Sequence, residues 1–290
     1  MASQRTATVT GLAAILLWAS LAVLTTATGN LPPFQVLAVS FGIAALLGLA
    51  RAALRGAAGW RELRQPGAAL ALSTLALFGY HALYFIALKR APAVEANLLN
   101  YLWPLLIVVF AGLVGGVTVR AGQWAGTLLG LVAAALLVTR GHGLQVDRAH
   151  VPGYLAALGA AVIWAAYSVL NRRFADVPTA AITVACAGVA VLGAAVHLLF
   201  ERTVAPDATQ WLVLAVMGAG PVGAAFWLWD HGTKRGDIAL LGSLSYLAPL
   251  LSTLLLVISG RAEPHGIQAV AIAMLLAGAW LSVRSSRAAR

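Results

Sequence analysis

The sequence predicts an all-α integral membrane protein of ten transmembrane helices, arranged as two inverted five-helix repeats. Three observations predict this fold class: the composition, a succession of apolar segments, and two motifs that recur at nearly the same offset. Of the 290 residues, 61% are hydrophobic and 10% are charged, whereas a soluble domain carries about 25% charged residues. Lipid can solvate the apolar outer surface that this composition leaves, so the bilayer is the first expected partner.

The charge and the motif content exclude several classes of function. The formal net charge is +10, but the basic residues fall in short loops between apolar segments, so no nucleic-acid partner is expected. A single cysteine, Cys186, leaves no disulfide framework and no cysteine-rich metal site. Phosphate-binding glycine loops, paired-histidine metal motifs and nucleophile elbows are also missing from the sequence. We therefore expect no cofactor, no bound metal and no enzyme activity.

The apolar segments have the length of membrane spans. A spanning helix needs about 20 predominantly apolar residues. Polar or Pro/Gly-rich breaks separate such segments, the longest breaks being 55–66 and 140–151. The ten predicted spans lie near 7–28, 34–54, 67–88, 92–116, 121–139, 152–171, 179–200, 208–231, 238–259 and 265–284.

The basic residues of the loops predict the orientation of the chain in the membrane. With the N-terminus in the cytoplasm, the cytoplasmic side holds 13 of the 19 basic residues. These are Arg5, Arg51, Arg55, Arg61, Arg64, Arg120, Arg172, Arg173, Lys234, Arg235, Arg284, Arg287 and Arg290. The opposite side holds Lys89, Arg90, Arg140, Arg148, Arg202 and Arg261. We therefore expect both termini to be cytoplasmic, in the cell inner (plasma) membrane.

A Trp-Ala motif recurs in the first and sixth predicted spans. Trp18 precedes Pro32 by 14 positions, and Trp164 precedes Pro178 by the same 14. Because a similar segment recurs in the middle of the chain, we expect the first apolar segment to be a retained span rather than a signal peptide.

A Lys-Arg motif recurs in the same register. Lys89 precedes Pro104 and Lys234 precedes Pro249, by 15 positions in both cases, so the two motifs have offsets of 146 and 145. The predicted units are residues 1–140 and 152–290, joined by a linker loop at 141–151. Each unit holds an odd number of spans, so the second must be inverted. Inverted repeats are characteristic of secondary transporters, which open a central site alternately to the two sides.

Polar side chains share one face of the fourth and ninth predicted spans, beside a proline. Because lipid-facing polar groups are costly, these faces should point into the bundle. The prolines Pro104 and Pro249 should kink the spans and act as hinges. Hydrogen bonding between helices is the alternative role for the polar groups. The i, i+3, i+4, i+7 positions are Asn97, Asn100, Tyr101 and Pro104, and Gly242, Ser245, Tyr246 and Pro249.

Aromatic side chains in mid-span complete the predicted cavity. His81 could bind a substrate, sense protons or pair with a backbone carbonyl. Trp18 and Trp164 occupy equivalent positions in the two units, with core packing as the alternative role. The candidate substrate-binding residues are Trp18, Tyr80, His81, Tyr84, Asn97, Asn100, Tyr101, Trp103, Trp164, Ser168, Ser245 and Tyr246.

Carboxylates are scarce within the predicted spans. Only Glu95 and Asp230 occur there, both near a span end, and we expect Asp230 to pair with Lys234. Without a carboxylate near the midplane, the sequence favours downhill facilitated export over tight ion coupling, although it does not decide between the two. Gly126 and Gly130 form a small-xxx-small motif, which predicts close packing within the chain first and dimerisation second. The sequence does not decide whether the protein is a monomer or a dimer.

Two stretches carry a family resemblance. Tyr80-His81-Ala82-Leu83-Tyr84 and Asn97-Leu98-Leu99-Asn100-Tyr101-Leu102-Trp103-Pro104-Leu105-Leu106, with the doubled Trp-Ala pattern, resemble the EamA family of the drug/metabolite transporter superfamily. Within that family they look most like the YddG-type aromatic amino acid exporters. The resemblance implies a ten-helix inner-membrane exporter of amino acids, with a central cavity and alternating access.

The predicted function is export of aromatic and other neutral amino acids or related small metabolites. Export of drugs or nucleotide-type metabolites is the alternative within transport. A membrane-embedded enzyme would need a nucleophile, a metal cluster or a carboxylate pair at one depth, and an anchor protein would need neither kinks nor buried polar faces.

Overall fold

The computed structural model describes residues 2–139, 147–260, 263 and 266–287. Within these ranges the chain is helical without β-strands, and ten helical segments are long and apolar enough to cross a bilayer. The predicted all-α class and the predicted number of spans are thereby confirmed. Spans 1 to 10 are Gln4–Ala27, Pro33–Leu54, Gly67–Arg90, Glu95–Leu113, Ala121–Thr139, Arg148–Phe174, Thr179–Phe200, Ala208–Arg235, Ile238–Ile258 and Gly266–Ser286.

Several spans consist of more than one helix. The α-helices are Ala2–Ala19, Leu21–Ala27, Pro33–Leu54, Gly56–Leu63, Gly67–Arg90, Ala93–Asn100, Trp103–Leu113, Ala121–Thr139, Val151–Leu170, Ile182–Phe200, Ala208–Ala219, Ala225–Arg235, Ile238–Leu244, Leu247–Ile258 and Gly266–Arg287. Short 3₁₀ helices occupy Arg148–His150, Asn171–Phe174 and Thr179–Ala181, and a π-helical turn occupies Gly220–Ala224.

The break after span 2 contains a short helix, Gly56–Leu63, where the sequence indicates only a connecting segment. Gly56 has a φ of 60°, a left-handed conformation that glycine adopts without steric cost. The chain can therefore leave span 2 and enter the next helix without an intervening loop.

Spans 4 and 9 are interrupted just before their prolines. Span 4 divides between Asn100 and Trp103, and span 9 divides between Leu244 and Leu247. Proline lacks the N–H that would bond to the carbonyl four residues earlier, and its ring clashes with that carbonyl. For Pro104 and Pro249 the affected carbonyls belong to Asn100 and Ser245, which is where the helices stop.

The packing of the spans follows a regular scheme. Span 1 packs on spans 8 and 9, and span 6 packs on spans 3 and 4; span 2 packs on span 7, span 4 on span 9, and span 5 on span 10. If each span is replaced by the span five positions away in the sequence (span 1 by span 6, span 8 by span 3, and so on), the same set of contacts results.

The small-xxx-small motif of span 5 is used within the chain. A Cβ placed on Gly126 would collide with the backbone of Gly278 in span 10, and one placed on Gly130 would collide with the ring of Tyr246 in span 9. Span 10 can therefore approach span 5 closely at Gly126, and span 9 can do so at Gly130, because these positions lack a side chain.

Part of the predicted linker and three predicted loop charges lie outside the described residues, namely 141–146, Arg140, Arg261 and Arg290. The described chain resumes at Asp147, whose carboxylate accepts a hydrogen bond from the N–H of Ala149. The α-helix of span 6 then begins at Val151, one residue before the start of the second predicted unit.

Candidate functional site

A cavity of about 660 Å³ lies in the centre of the bundle. It extends from Trp18 and Trp164, in the middle of spans 1 and 6, to Thr28 and Gly29 at the turn between spans 1 and 2. Leu88 belongs to its rim and is exposed. We call this end of the bundle the turn end and the opposite end, which carries Arg51 and Arg235, the basic end. The central cavity thus reaches the surface at the turn end.

Aromatic rings form the floor of the cavity around Trp18. The ring centroid of Trp18 lies 5.4 Å from that of Trp164, 5.1 Å from that of Trp229 and 5.8 Å from that of Phe226. The Trp18 and Trp164 rings meet edge to face at an interplanar angle of 77°. Contacts of this geometry stabilise aromatic clusters beyond simple burial, so the floor is a rigid, ring-lined surface.

Tyrosine and asparagine side chains form two hydrogen-bonded pairs on the wall made by spans 3 and 4. The Tyr84 hydroxyl donates to Asn97 Oδ1, and Asn100 Nδ2 donates to the Tyr80 hydroxyl at 3.2 Å. Asn100 Oδ1 is buried and accepts no hydrogen bond from the described residues. The wall therefore combines paired dipoles with an acceptor that has no partner within the described chain.

His81 adds a further polar group to the same wall. Its Nδ1 lies 2.7 Å from the carbonyl oxygen of Leu77. A carbonyl only accepts, so Nδ1 carries the hydrogen, and in the neutral ring Nε2 is left as an acceptor. The imidazole edge also contacts the Phe41 ring, with a centroid distance of 5.2 Å.

The described part of the cavity wall is poor in charged side chains. Among the described residues that line it there is no Asp, Glu, Lys or Arg. Placing a net charge in such a space is costly, because only neutral dipoles are present to replace its hydration. The wall consequently suits solutes without net charge, including zwitterions whose charged groups can each meet a dipole.

Nine of the twelve predicted binding residues come together in this cavity. They are Trp18, Tyr80, His81, Tyr84, Asn97, Asn100, Tyr101, Trp103 and Trp164. Ser168, Ser245 and Tyr246 lie outside the wall and are fully buried. Ser168 Oγ accepts a hydrogen bond from Trp229 Nε1 at 3.1 Å, which places it behind the aromatic floor.

Sequence reasoning missed the contribution of span 8. Phe226 and Pro221 line the cavity, and Trp229 packs beneath Trp18. The available signal was the aromatic run of Phe226, Trp227 and Trp229, in which the first and the last are three positions apart and so share one helix face.

At the basic end a buried polar network lies between the cavity floor and the surface. The Asp230 carboxylate, 1% exposed, accepts hydrogen bonds from Asn171 Nδ2 and Thr179 Oγ1, both at 2.8 Å. It pairs with Lys234 Nζ at 2.9 Å, as the sequence predicts, and Lys234 also donates to the carbonyl of Val177 at 3.1 Å. This Asp230 cluster joins span 8 to the ends of spans 6 and 7.

Comparisons with known proteins show which family this chain resembles. The model of the EamA-like transporter family matches residues 5–139 and 151–284. A protein of Ancylobacter novellus named aromatic amino acid exporter YddG is 47% identical to this chain over 286 residues, which are 98% of this chain and 99% of the relative. The Escherichia coli K12 protein of the same name is 28% identical over 87% of this chain and 88% of its own.

A solved crystal structure has the same fold. It superposes on this chain with a TM-score of 0.93 at 47% sequence identity, and the match covers 98% of this chain and 99% of the other.

Proposed function

Because this chain belongs to the EamA-like transporter family, we propose that it exports aromatic and other neutral amino acids, or related small metabolites, across the inner membrane by alternating access. The family predicted from the two sequence stretches is confirmed, and the chain is a multi-pass membrane transporter. The substrate, the direction and the mechanism are the proposal.

The observation that carries the proposal is the uncharged, ring-lined central cavity. An aromatic amino acid could stack its ring on Trp18 and Trp164, since indole faces and edges favour such contacts. Its ammonium group could donate to Asn100 Oδ1, and its carboxylate could accept from tyrosine hydroxyls. The two relatives named as aromatic amino acid exporters support this choice of substrate class.

The alternatives fit this wall less well. A nucleotide-type metabolite carries phosphates, which are normally bound by arginine, lysine or a metal ion, and the described lining residues include neither arginine nor lysine. A flat neutral drug could occupy the aromatic floor but would leave the Tyr and Asn dipoles without a role.

Alternating access is supported by a relation between the residues inside and outside the cavity. Ser168, Ser245 and Tyr246 lie outside the wall, and their counterparts at the offsets of the two motifs are Ala22, Asn100 and Tyr101. All three counterparts line the cavity. In each of these three pairs, the conformation described here exposes one residue to the cavity. In the proposed alternating access, the opposite conformation should expose its counterpart instead.

The proposed orientation places the turn end outside the cell and the Asp230 cluster on the cytoplasmic side. The arrangement described above is then the outward-facing state, closed to the cytoplasm by the Asp230 cluster. Inward opening requires spans 6 and 7 to part from span 8, which breaks the bonds from Asn171 and Thr179 to Asp230.

Counterflow in reconstituted liposomes tests the function. We expect labelled phenylalanine and tryptophan to exchange well above empty liposomes, with methionine and threonine slower because they lack a ring. Trp164→Ala should lower phenylalanine exchange about 3- to 10-fold, since it removes one aromatic contact. Trp60→Ala changes an exposed ring outside the cavity and serves as the control. No exchange of any of the four amino acids would overturn the amino acid proposal.

A competition series separates the substrate classes. Unlabelled neutral aromatic amino acids should reduce phenylalanine counterflow, whereas nucleotides should not. Strong competition by nucleotides or by flat drugs, without competition by amino acids, would favour the alternative exporter instead.

A further inference from the structure

A second cleft lies at the basic end of the bundle, apart from the central cavity. It has a volume of about 430 Å³ and is bordered by spans 1, 2, 7 and 8 and the short helix Gly56–Leu63. Span 8 separates the two spaces, because Phe226 lines the central cavity whereas Trp227, Leu228 and His231 line the cleft. We call this second space the basic cleft.

The basic cleft has more positive than negative charge. Arg51, Arg55 and Arg235 line it together with one carboxylate, that of Glu62. Glu62 pairs with Arg55 at 2.9 Å and with Arg51 at 3.6 Å. Arg235 has no carboxylate partner among the ion pairs of the described residues. Among the described residues, the cleft therefore has three guanidinium groups and one carboxylate, and this carboxylate pairs with Arg51 and Arg55 but not with Arg235.

The guanidinium groups are held so that an incoming anion can reach them. The Arg51 guanidinium lies over the Trp227 ring, 4.8 Å from its centroid, a cation–π contact that orients the group. The side chains of Arg51 and Arg55 are each 45% exposed. A planar guanidinium binds phosphate through two parallel hydrogen bonds, which an exposed, oriented pair of arginines can provide.

The position of the basic cleft along the membrane normal indicates which kind of anion could reach its arginines. Arg51 lies in the last turn of the span 2 helix, and Arg235 is the last residue of the span 8 helix. Helix ends of this kind lie at the level of the lipid headgroups. Basic pockets between transmembrane helices at this level bind the headgroups of acidic lipids. Leu228, Pro178 and Ala180 complete the lining with apolar surface.

We propose that the basic cleft binds a phosphate group, and that in the membrane this is the phosphate of an acidic phospholipid headgroup. The arginines bind the phosphate oxygens, and the glycerol carbons pack against Trp227 and Leu228. Spans 7 and 8, which part in the proposed inward opening, both line this cleft. Lipid binding and thermal stability therefore test the site, because a change in flux could arise from the transport step itself.

The test compares two double variants that remove the same charge from the same end. Arg51→Gln/Arg235→Gln changes the basic cleft, whereas Arg64→Gln/Arg173→Gln changes two exposed arginines that do not line it. Native mass spectrometry measures the affinity for phosphatidylglycerol against phosphatidylcholine. The first variant should bind phosphatidylglycerol about 30-fold more weakly, because each basic side chain near the surface contributes about 5-fold. The control should change it less than about 3-fold, since salt screens distant charges.

A second measurement guards against a direct effect of Arg51 on folding, since Arg51 also contacts Glu62 and Trp227. The thermal midpoint is compared in nanodiscs with and without phosphatidylglycerol, and Arg235→Gln alone is included. Acidic lipid should raise the midpoint of the wild type and the control, and should raise that of Arg235→Gln clearly less. Equal loss in both double variants, or no preference for phosphatidylglycerol over phosphatidylcholine, would overturn the proposal.

Soluble anions identify the source of the phosphate. Inorganic phosphate and glycerol phosphate are added to the protein in phosphatidylcholine nanodiscs, and little stabilisation is expected at millimolar concentration. An arginine-dependent stabilisation by these anions, as large as that by phosphatidylglycerol, would overturn the lipid as the source.

Discussion

Trp18 Nε1 donates a hydrogen bond to the backbone carbonyl oxygen of Pro221 at 3.0 Å. The two residues lie in spans 1 and 8, and Pro221 belongs to the π-helical turn Gly220–Ala224. π-Helical turns are rare and frequently mark functional sites. Here the bond fixes the Trp18 ring at the cavity floor, so the aromatic surface depends on a backbone group of another span.

The first prediction concerns this bond. Trp18→Phe keeps an aromatic ring but removes the N–H donor, which leaves the Pro221 carbonyl unpaired. We expect a loss of about 1 kcal/mol in the free energy of unfolding and a several-fold lower rate of phenylalanine counterflow. Thermal unfolding and liposome exchange measure the two effects. Trp60→Phe is the matched control, and an effect of the same size in that variant would contradict the role of the bond.

The floor illustrates what the sequence could and could not predict. Trp18 and Trp164 were predicted to line one cavity from their equivalent positions, each 14 residues before a proline, and their rings are in contact. The place of Phe226 was not predicted, because the π-helical turn before it inserts one extra residue, so the face shared by Phe226 and Trp229 cannot be extrapolated from the first half of span 8. Periodicity read from the sequence assumes an uninterrupted α-helix, so it assigned no cavity face to span 8.

The predicted binding residues that lie outside the cavity wall show a second limit of prediction from sequence. Ser245 and Tyr246 repeat the pattern of Asn100 and Tyr101, yet Tyr246 packs against span 5 beside Gly130. Sequence equivalence identifies both members of such a pair, but a single conformation opens the cavity at one end. Under the proposed alternating access, the conformational state decides which member faces the cavity, and the sequence pattern does not specify that state.

The second prediction concerns the charge of transported solutes. Since the described cavity lining has no ionised group, glutamate and lysine should compete poorly with labelled phenylalanine. Asn100→Asp introduces a carboxylate at the acceptor position and should increase competition by cationic aromatic amines, because a paired charge is easier to accommodate. Asn100→Gln, which keeps the amide, is the control. Unchanged selectivity in Asn100→Asp would indicate that this position does not face the solute.

The third prediction concerns the Asp230 cluster. Asp230→Ala leaves the Lys234 ammonium buried without its carboxylate, which should destabilise the protein by about 3–5 kcal/mol. The double variant Asp230→Leu/Lys234→Met removes both charges and should recover most of this loss. Thermal or denaturant unfolding of Asp230→Leu, Lys234→Met and the double variant completes the cycle that gives the coupling energy. Additive effects in that cycle would show that the pair is not coupled.

The same double variant tests whether the cluster holds the basic end closed. A Ser168→Cys substitution places a thiol at a fully buried position behind the floor, in a Cys186→Ala background. Loss of the cluster should increase its labelling by a reagent applied from the basic end. Equal labelling with and without the cluster would contradict a role in closure.

The fourth prediction concerns Gly126 in span 5. Valine at this position must collide with the Gly278 backbone, and overpacking of this kind costs about 1–3 kcal/mol. We expect a lower unfolding midpoint with no change of oligomeric state in size-exclusion chromatography coupled to light scattering. Gly266→Ala meets no atom within 4 Å and is the control. A change of oligomeric state in Gly126→Val would instead assign the motif to a dimer interface.

The fifth prediction concerns the inverted arrangement of the two units. Arg90 and Arg235 are equivalent at the offset of 145 and are both exposed; their neighbour Lys234 is buried by Asp230 and unsuitable for labelling. In a Cys186→Ala background, Arg90→Cys and Arg235→Cys should react with a membrane-impermeant maleimide from opposite sides, Arg90→Cys from outside. Labelling of both thiols from one side would exclude the inverted repeat. A symmetric exchange of the two units could not then open the cavity towards the cytoplasm, and the alternating-access proposal would fail while the substrate proposal could still be tested by counterflow.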